Sequence, residues 1–146
     1  MTQPKNKSNI MLSIEQLKEA FNTSWCRETA YRADREYWSE QNKTRGQCTV
    51  TVMIVNDYLG GEMLRGYSKK YNLYHYWNIV NGMKIDLTFE QFVGDKDDIV
   101  FDNIVVKTKN DLLKISNVRS RYQLLSRKID EYLRREDKTP NSQHTI

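Results

Sequence analysis

The sequence predicts an α+β domain in which a buried helix carrying a cysteine packs on a small antiparallel sheet and a long amphipathic helix ends the fold. Three observations predict it. Residues 47–59 (QCTVTVMIVNDYL) form the most apolar stretch and are stopped by Gly60-Gly61. Asn81-Gly82 lies between two alternating segments, the strongest short-range signal for a β-hairpin. Val118, Tyr122, Leu125, Ile129 and Tyr132 recur at four, three, four and three, the period of an amphipathic helix.

Residues 1–9 and 138–146 are polar, hold both prolines and show no apolar period, so they read as loose ends. The domain is placed at residues 13–137, behind a tail of residues 1–12. Ser13 and Gln16 have capping-box spacing ahead of Ile14, Leu17 and Phe21, which predicts a first helix from Ser13 to near Asn22. Residues 24–38 are aromatic without a period, and residues 39–46 read as a polar loop. The Thr and Val content of residues 47–59 also suits a strand. Thirteen residues is long for one, however, and a glycine stop suits a helix, so a buried helix is predicted to start just before Cys48. Residues 62–67 and 74–80 alternate as strands, and residues 83–87 return from the hairpin. Thr88 and Gln91 repeat the capping spacing and predict a short helical turn over residues 88–92. Residues 95–98 form an acidic loop, and residues 99–106 supply one more strand.

A length of 146 residues matches one domain and allows a core without metal or disulfide staples. Mean hydropathy is −0.78, but three Trp, nine Tyr and four Phe argue against disorder. No run of about eighteen apolar residues and no apolar signal region occur, so a spanning helix, membrane attachment and ordinary secretion are disfavoured. The sequons at Asn6, Asn22 and Asn42 are then accidental, and Cys26 and Cys48 read as reduced thiols of a cytoplasmic protein. Net charge is +4, three units of it within residues 111–146, a milder excess than the clustered Lys and Arg of a nucleic-acid module.

Several motifs fail. Gly61 and Gly66 have phosphate-loop spacing, but Tyr67-Ser68 stands where Lys-Ser/Thr is needed to reach phosphate and magnesium. The acidic run from Asp95 lacks the glycine of a calcium loop and has Val106 where its bidentate Glu belongs. Cys26, Cys48, His75 and His144 contain no closely spaced pair of zinc ligands. No cofactor or metal is therefore expected.

One constellation does not fail. Cys48 falls at the N-terminus of the predicted buried helix, directly after Gly46-Gln47. A thiolate there is stabilised by the helix dipole and by unpaired backbone N–H groups, which raises the reactive fraction. The same N–H groups could meet an oxyanion on an attacked carbonyl. A lone cysteine is more often a small buried side chain; His75 and Asp86 change the weighing. A two-residue turn at Asn81-Gly82 pairs Val80 with Met83 and so sets Trp77 opposite Asp86 and His75 opposite Thr88. Asp86 is then diagonal to His75, about 7 Å away between backbones and closer through the side chains. Nucleophile, base and orienting carboxylate of a cysteine hydrolase are present in the order Cys48, His75, Asp86. Gln47 and Ser24 are candidates to assist the Cys48 N–H at the oxyanion, and Trp25, Tyr74 and Trp77 are candidate cleft walls.

The blocks Ser24-Trp25, Thr29-Ala30-Tyr31, Trp38, Gly46-Gln47-Cys48, Gly60-Gly61-Glu62, His75-Tyr76-Trp77-Asn78, Asp86-Leu87-Thr88 with Gln91-Phe92, and Arg121-Tyr122 resemble the YunG-like family of small bacterial and phage proteins. The resemblance runs from about Ser24 to Leu125. It implies a papain-like or transglutaminase-like core with Cys48, His75 and Asp86 in the triad positions. The chain departs from the family in having Asn42-Lys43-Thr44-Arg45 where a proline is usual before Gly46, which implies a more mobile loop.

Two functions from different classes follow. The first is a cysteine-dependent acyl-transfer enzyme acting on a protein or peptide-like amide or isopeptide bond, as hydrolase, deamidase or transferase. The second is a binding or regulatory protein on the same scaffold, such as a phage-encoded antagonist of a host protein. In that case the triad is structural and the basic C-terminal helix makes the contact. The apolar stripe also continues past the resemblance through Ile129, Tyr132 and Leu133, which is the basis for expecting a second copy or a protein partner to dock there.

Overall fold

The structure is a computed structural model and describes residues 10–89 and 99–138. Helix α1 (Ile10–Ser24) is followed by two 3₁₀ turns (Arg27–Thr29 and Arg32–Tyr37) and helix α2 (Cys48–Leu59). Strands β1 (Glu62–Ser68), β2 (Leu73–Val80), β3 (Met83–Ile85) and β4 (Asp102–Lys107) come next, then the short helix α3 (Lys109–Leu113) and helix α4 (Val118–Lys138). The strands form one antiparallel sheet in the order β3-β2-β1-β4. The α+β class, the small sheet and the long C-terminal helix are as the sequence predicts.

Helix α2 is central because its residues are apolar on every side. Val50, Thr51, Val52, Met53, Ile54, Val55, Tyr58 and Leu59 are all buried, which a helix achieves only when packed all round. It lies on β2 and is also packed by α1 and α4. Two polar ties fix its rotation: the Asn78 amide donates to the Val52 carbonyl at 3.0 Å, and the Trp25 indole N–H donates to Thr51 Oγ1 at 3.0 Å. Gly60, at φ +75°, ends the helix in a conformation that side-chain-bearing residues resist. Asn81 and Gly82, at φ +52° and +80°, make the tight turn that pairs Val80 with Met83 and Asn78 with Ile85.

Several boundaries differ from expectation. Helix α1 begins at Ile10, inside the predicted tail, so Ser13 lies within the helix rather than capping it. Nothing in Ile10, Met11 or Leu12 resists helix, and cap-type spacing alone does not start one. Strand β3 stops at Ile85, two residues early. The predicted turn at residues 88–92 extends beyond the described residues, where the acidic loop at residues 95–98 also falls. The loop at residues 39–46, expected to be mobile, is pinned. The Trp38 indole donates to the Lys43 carbonyl at 2.9 Å, Lys43 reaches the Asn22 carbonyl at 2.8 Å, and Arg45 pairs with Asp34 at 2.9 Å.

The apolar stripe of α4 faces the core. Val118, Leu125 and Ile129 are fully buried, and Tyr122, Tyr132 and Leu133 pack against the same core, with α1 covering the helix. Val118, Leu125 and Ile129 are thus covered within the chain, while Tyr132 and Leu133 at the end of the stripe keep part of their surface exposed. Near its start α4 is tied to α2 by Tyr122, whose hydroxyl donates to Asp57 at 2.5 Å while Lys109 bonds both residues.

Because Ile129 has no exposed surface, Ile129→Ala should lower the unfolding free energy by about 2–5 kcal/mol, as Leu125→Ala should. Chemical denaturation checks this. A stripe that served only a partner would leave the monomer's unfolding midpoint unchanged.

Candidate active site

The site is built from the segment that enters α2. Gly46 adopts φ +72°, and a Cβ there would fall 2.9 Å from Asp34 Cβ and 3.0 Å from the Tyr31 backbone N. Only glycine fits, and its carbonyl accepts from the Tyr31 N–H at 2.8 Å. Gln47 is fully buried. Its Nε2 donates to the Cys26 carbonyl at 3.0 Å, and its Oε1 accepts from Thr29 Oγ1 at 2.8 Å. These ties set Cys48 as the first residue of α2, half-buried and facing a cleft. Gln47 provides no side-chain cap, which leaves first-turn N–H groups available to another acceptor.

His75 lies on β2, where it is 0% exposed. Its Nε2 meets Asp86 Oδ2 at 2.8 Å and Oδ1 at 3.1 Å. Phe101 stacks on the ring at 5.4 Å between centroids, with Trp77 at 6.1 Å and Phe89 at 6.4 Å. Burial in this aromatic surround lowers the imidazole's proton affinity. Hydrogen bonding and charge from Asp86 and Cys48 outweigh it and push the His75 pKa from 6.5 up to about 9. With Nε2 committed to Asp86, Nδ1 is the ring nitrogen that can exchange a proton with Cys48.

The cleft beside Cys48 has a volume of about 460 Å³ and is walled by Tyr31, Tyr74, Tyr76, Ile115 and Arg121, among others. Burial, with a further push from Cys48, raises the Tyr76 pKa, so this phenol stays a proton donor at neutral pH.

The structure therefore brings Cys48, His75 and Asp86 together, and puts Tyr74, half exposed, on the cleft wall. It assigns other candidates differently. Gln47 is a structural tie with no exposed surface, because both ends of its amide are engaged. Ser24 closes α1 and is buried outside the cleft lining. Trp25 belongs to the core, stacked on Phe21 and bonded to Thr51. Trp77 walls the imidazole rather than the cleft. Tyr76 and Arg121 were missed as cleft residues. The available signal for Arg121 was a charged residue three positions after Val118 and four before Leu125, on the buried face of α4.

Comparison with known proteins agrees with this region of the chain. The profile of the family described as YunG protein matches residues 13–134. The chain is 30% identical over 79 residues to the protein of Bacillus subtilis (strain 168) named Uncharacterized protein YunG. The aligned stretch covers 54% of this chain and 63% of that protein, so under two thirds of the relative is spanned. No solved structure matches the chain.

The His75 shift dictates a pH dependence of stability. Between about pH 6.5 and 9 the folded protein holds a proton that the unfolded chain releases, so stability is full below the lower value and falls as pH rises through the upper one. Unfolding free energy measured across that window should decline. In Asp86→Asn, which removes the carboxylate, the decline should flatten.

Proposed function

The chain belongs to the YunG protein family, and on that premise we propose that it is a cysteine-dependent acyl-transfer enzyme acting on an amide or isopeptide bond. The observation that carries this reading is a buried imidazole engaged by Asp86 on one side and by Cys48 on the other. A buried charge has a high cost unless something uses or compensates it, and a residue perturbed by both burial and specific partners beside a cleft is a functional-site candidate. The Cys-bearing helix N-terminus against an antiparallel strand carrying His, with Asp following in the chain, supports a papain-like or transglutaminase-like core. Both cysteines are free, which suits a reducing compartment such as the cytoplasm.

In this mechanism the Cys48 thiolate attacks the carbonyl carbon, and the carbonyl π electrons move onto oxygen. The resulting oxyanion is met by the Cys48 backbone N–H, with the Tyr76 hydroxyl as a second donor from the cleft wall. The tetrahedral intermediate collapses to a thioester as the C–N bond breaks and the His75 imidazolium gives its proton to the departing amine. Neutral His75 then takes a proton from water or an acceptor amine, which attacks the thioester. The acyl group leaves and Cys48 is released. Asp86 holds the ring and stabilises the imidazolium throughout.

Cys48 should react with iodoacetamide at pH 7 much faster than Cys26, a comparison read by peptide mass spectrometry. Equal labelling of the two thiols would remove the catalytic reading. Asp86→Asn should lower turnover of a responsive amide by up to about 10⁴-fold, the loss seen when an established triad loses its orienting carboxylate. Asp86 is itself largely buried and paired, so the same change should also reduce stability.

A further inference from the structure

We propose that the Cys48 cleft selects substrates bearing a carboxylate, and that Arg121 is the residue that receives it. This rests on the reading of Cys48 as nucleophile. Arg121 lines the cleft yet is only 3% exposed. Its Nε donates to the Asn117 carbonyl at 3.2 Å and its Nη1 to the Thr29 carbonyl at 3.1 Å. Among the described residues it forms no ion pair, and its Nη2 makes no hydrogen bond.

Among the described residues no carboxylate bonds the guanidinium. Asp34, the carboxylate on the same cleft, is bonded to Arg45. Arg35 adds positive charge, which the Tyr31 ring, 5.9 Å away, and the more distant charge of Asp34 oppose without a hydrogen bond or ion pair to the guanidinium. Burial lowers the Arg121 pKa while Cys48 opposes the fall, which places thiol and guanidinium within electrostatic reach. Arginine cannot escape by releasing its proton. Two backbone carbonyls satisfy hydrogen bonds but leave a desolvated charge without an ion-pair partner, an arrangement that is unfavourable in general. A neutral side chain could join α4 to Thr29 without that cost. The free Nη2 of a charged guanidinium suits an oxyanion of the substrate, and beside a nucleophile that attacks amides the anion an acyl substrate carries is a carboxylate.

The cleft volume of about 460 Å³ suits a small acyl amino acid or the end of a peptide. The carboxylate could be the terminal one or that of an acidic side chain. Both present the same chemistry to Arg121 and are separated by the test.

The test uses the full chain and compares Cys48 alkylation by iodoacetate, which carries a carboxylate, with iodoacetamide, which does not. Cys26 is the internal reference. The wild-type iodoacetate-to-iodoacetamide rate ratio should be higher at Cys48 than at Cys26. It should fall about tenfold in Arg121→Gln and in part recover in Arg121→Lys, which keeps the charge but loses the fork. His75 also favours iodoacetate, but equally in each protein, so the change in ratio reports Arg121 alone. In a second arm, wild-type Cys48 is labelled with iodoacetamide in the presence of N-acetylalanine, N-acetylglutamate α-amide or N-acetylalanine amide. Protection by the first marks a terminal carboxylate, by the second a side-chain one, and equal protection by the uncharged amide overturns the proposal. A reactive Cys48 with an unchanged ratio in Arg121→Gln overturns the role of Arg121 and leaves the nucleophile standing. A Cys48 inert to both reagents removes both readings, since a cleft without a nucleophile has no substrate to select.

Discussion

The state of the imidazole and the register of the hairpin beneath it depend on one buried contact, the 2.8 Å bond between His75 and Asp86. An imidazole with no exposed surface and aromatic rings on several sides would shed its proton if left alone. It keeps that proton because a carboxylate is held against it. Holding it there fixes much of the sheet: the Asn81-Gly82 turn must give the observed register, and β3 must be short enough for the chain to turn Asp86 back toward the ring. A one-residue slip in the hairpin would send Asp86 to the opposite face and leave His75 unpaired. The same pairing thus sets the geometry of the proposed base and penalises the alternative registers.

The thiol is positioned by an independent device. Gln47 contributes no surface to the cleft, yet its amide joins the Arg27–Thr29 turn to the start of α2, and Gly46 is the only residue that fits between Asp34 and Tyr31. The Gly46-Gln47-Cys48 sequence reads as a catalytic motif, but physically Gly46 and Gln47 build the support, and of the two residues that line the cleft, Gly46 and Cys48, only Cys48 carries a reactive side chain. Rigid support of this kind is what a reactive group needs to be held within a few tenths of an ångström.

Much of this was legible in the sequence, and the reasons separate cleanly. The α2 boundaries were readable because Gly60 supplies a strong stop, and the hairpin register from Val80–Met83 to Asn78–Ile85 because a two-residue turn permits counting; the pairs Trp77–Asp86 and His75–Thr88 that the count continues to are not formed, and Asp86 meets His75 from just beyond the strand. The 3₁₀ turns between α1 and α2 were not, since they are held by local polar bonds such as Cys26 N–H to Thr29 Oγ1 at 3.1 Å rather than by an apolar period. Ser13 misled because capping spacing describes a helix start without excluding helix before it. The roles of Trp25 and Gln47 were misassigned for a shared reason. Neither the place of Gln47 next to Cys48 nor the aromatic character of Trp25 says which way a side chain turns, and burial of large aromatic and amide groups decides that only in three dimensions.

The end of α4 shows the same limit from the other side. Its stripe was traced correctly, but a stripe alone does not identify what covers it, and α1 does so here. The informative residue on that helix was the one that interrupts the pattern. Arg121 lies beside the stripe, one residue before Tyr122 and on the buried face where packing alone favours an apolar side chain, and the helix carries it to the wall of the Cys48 cleft. Cys48 is then approached by a cationic imidazole from the sheet and a guanidinium from α4, two positive groups brought together from β2 and the C-terminal helix. Like charges converge on one half-buried point only where negative charge is present or arrives. In the proposed mechanism the Cys48 nucleophile answers for one of them, and the second is left for whatever enters the cleft.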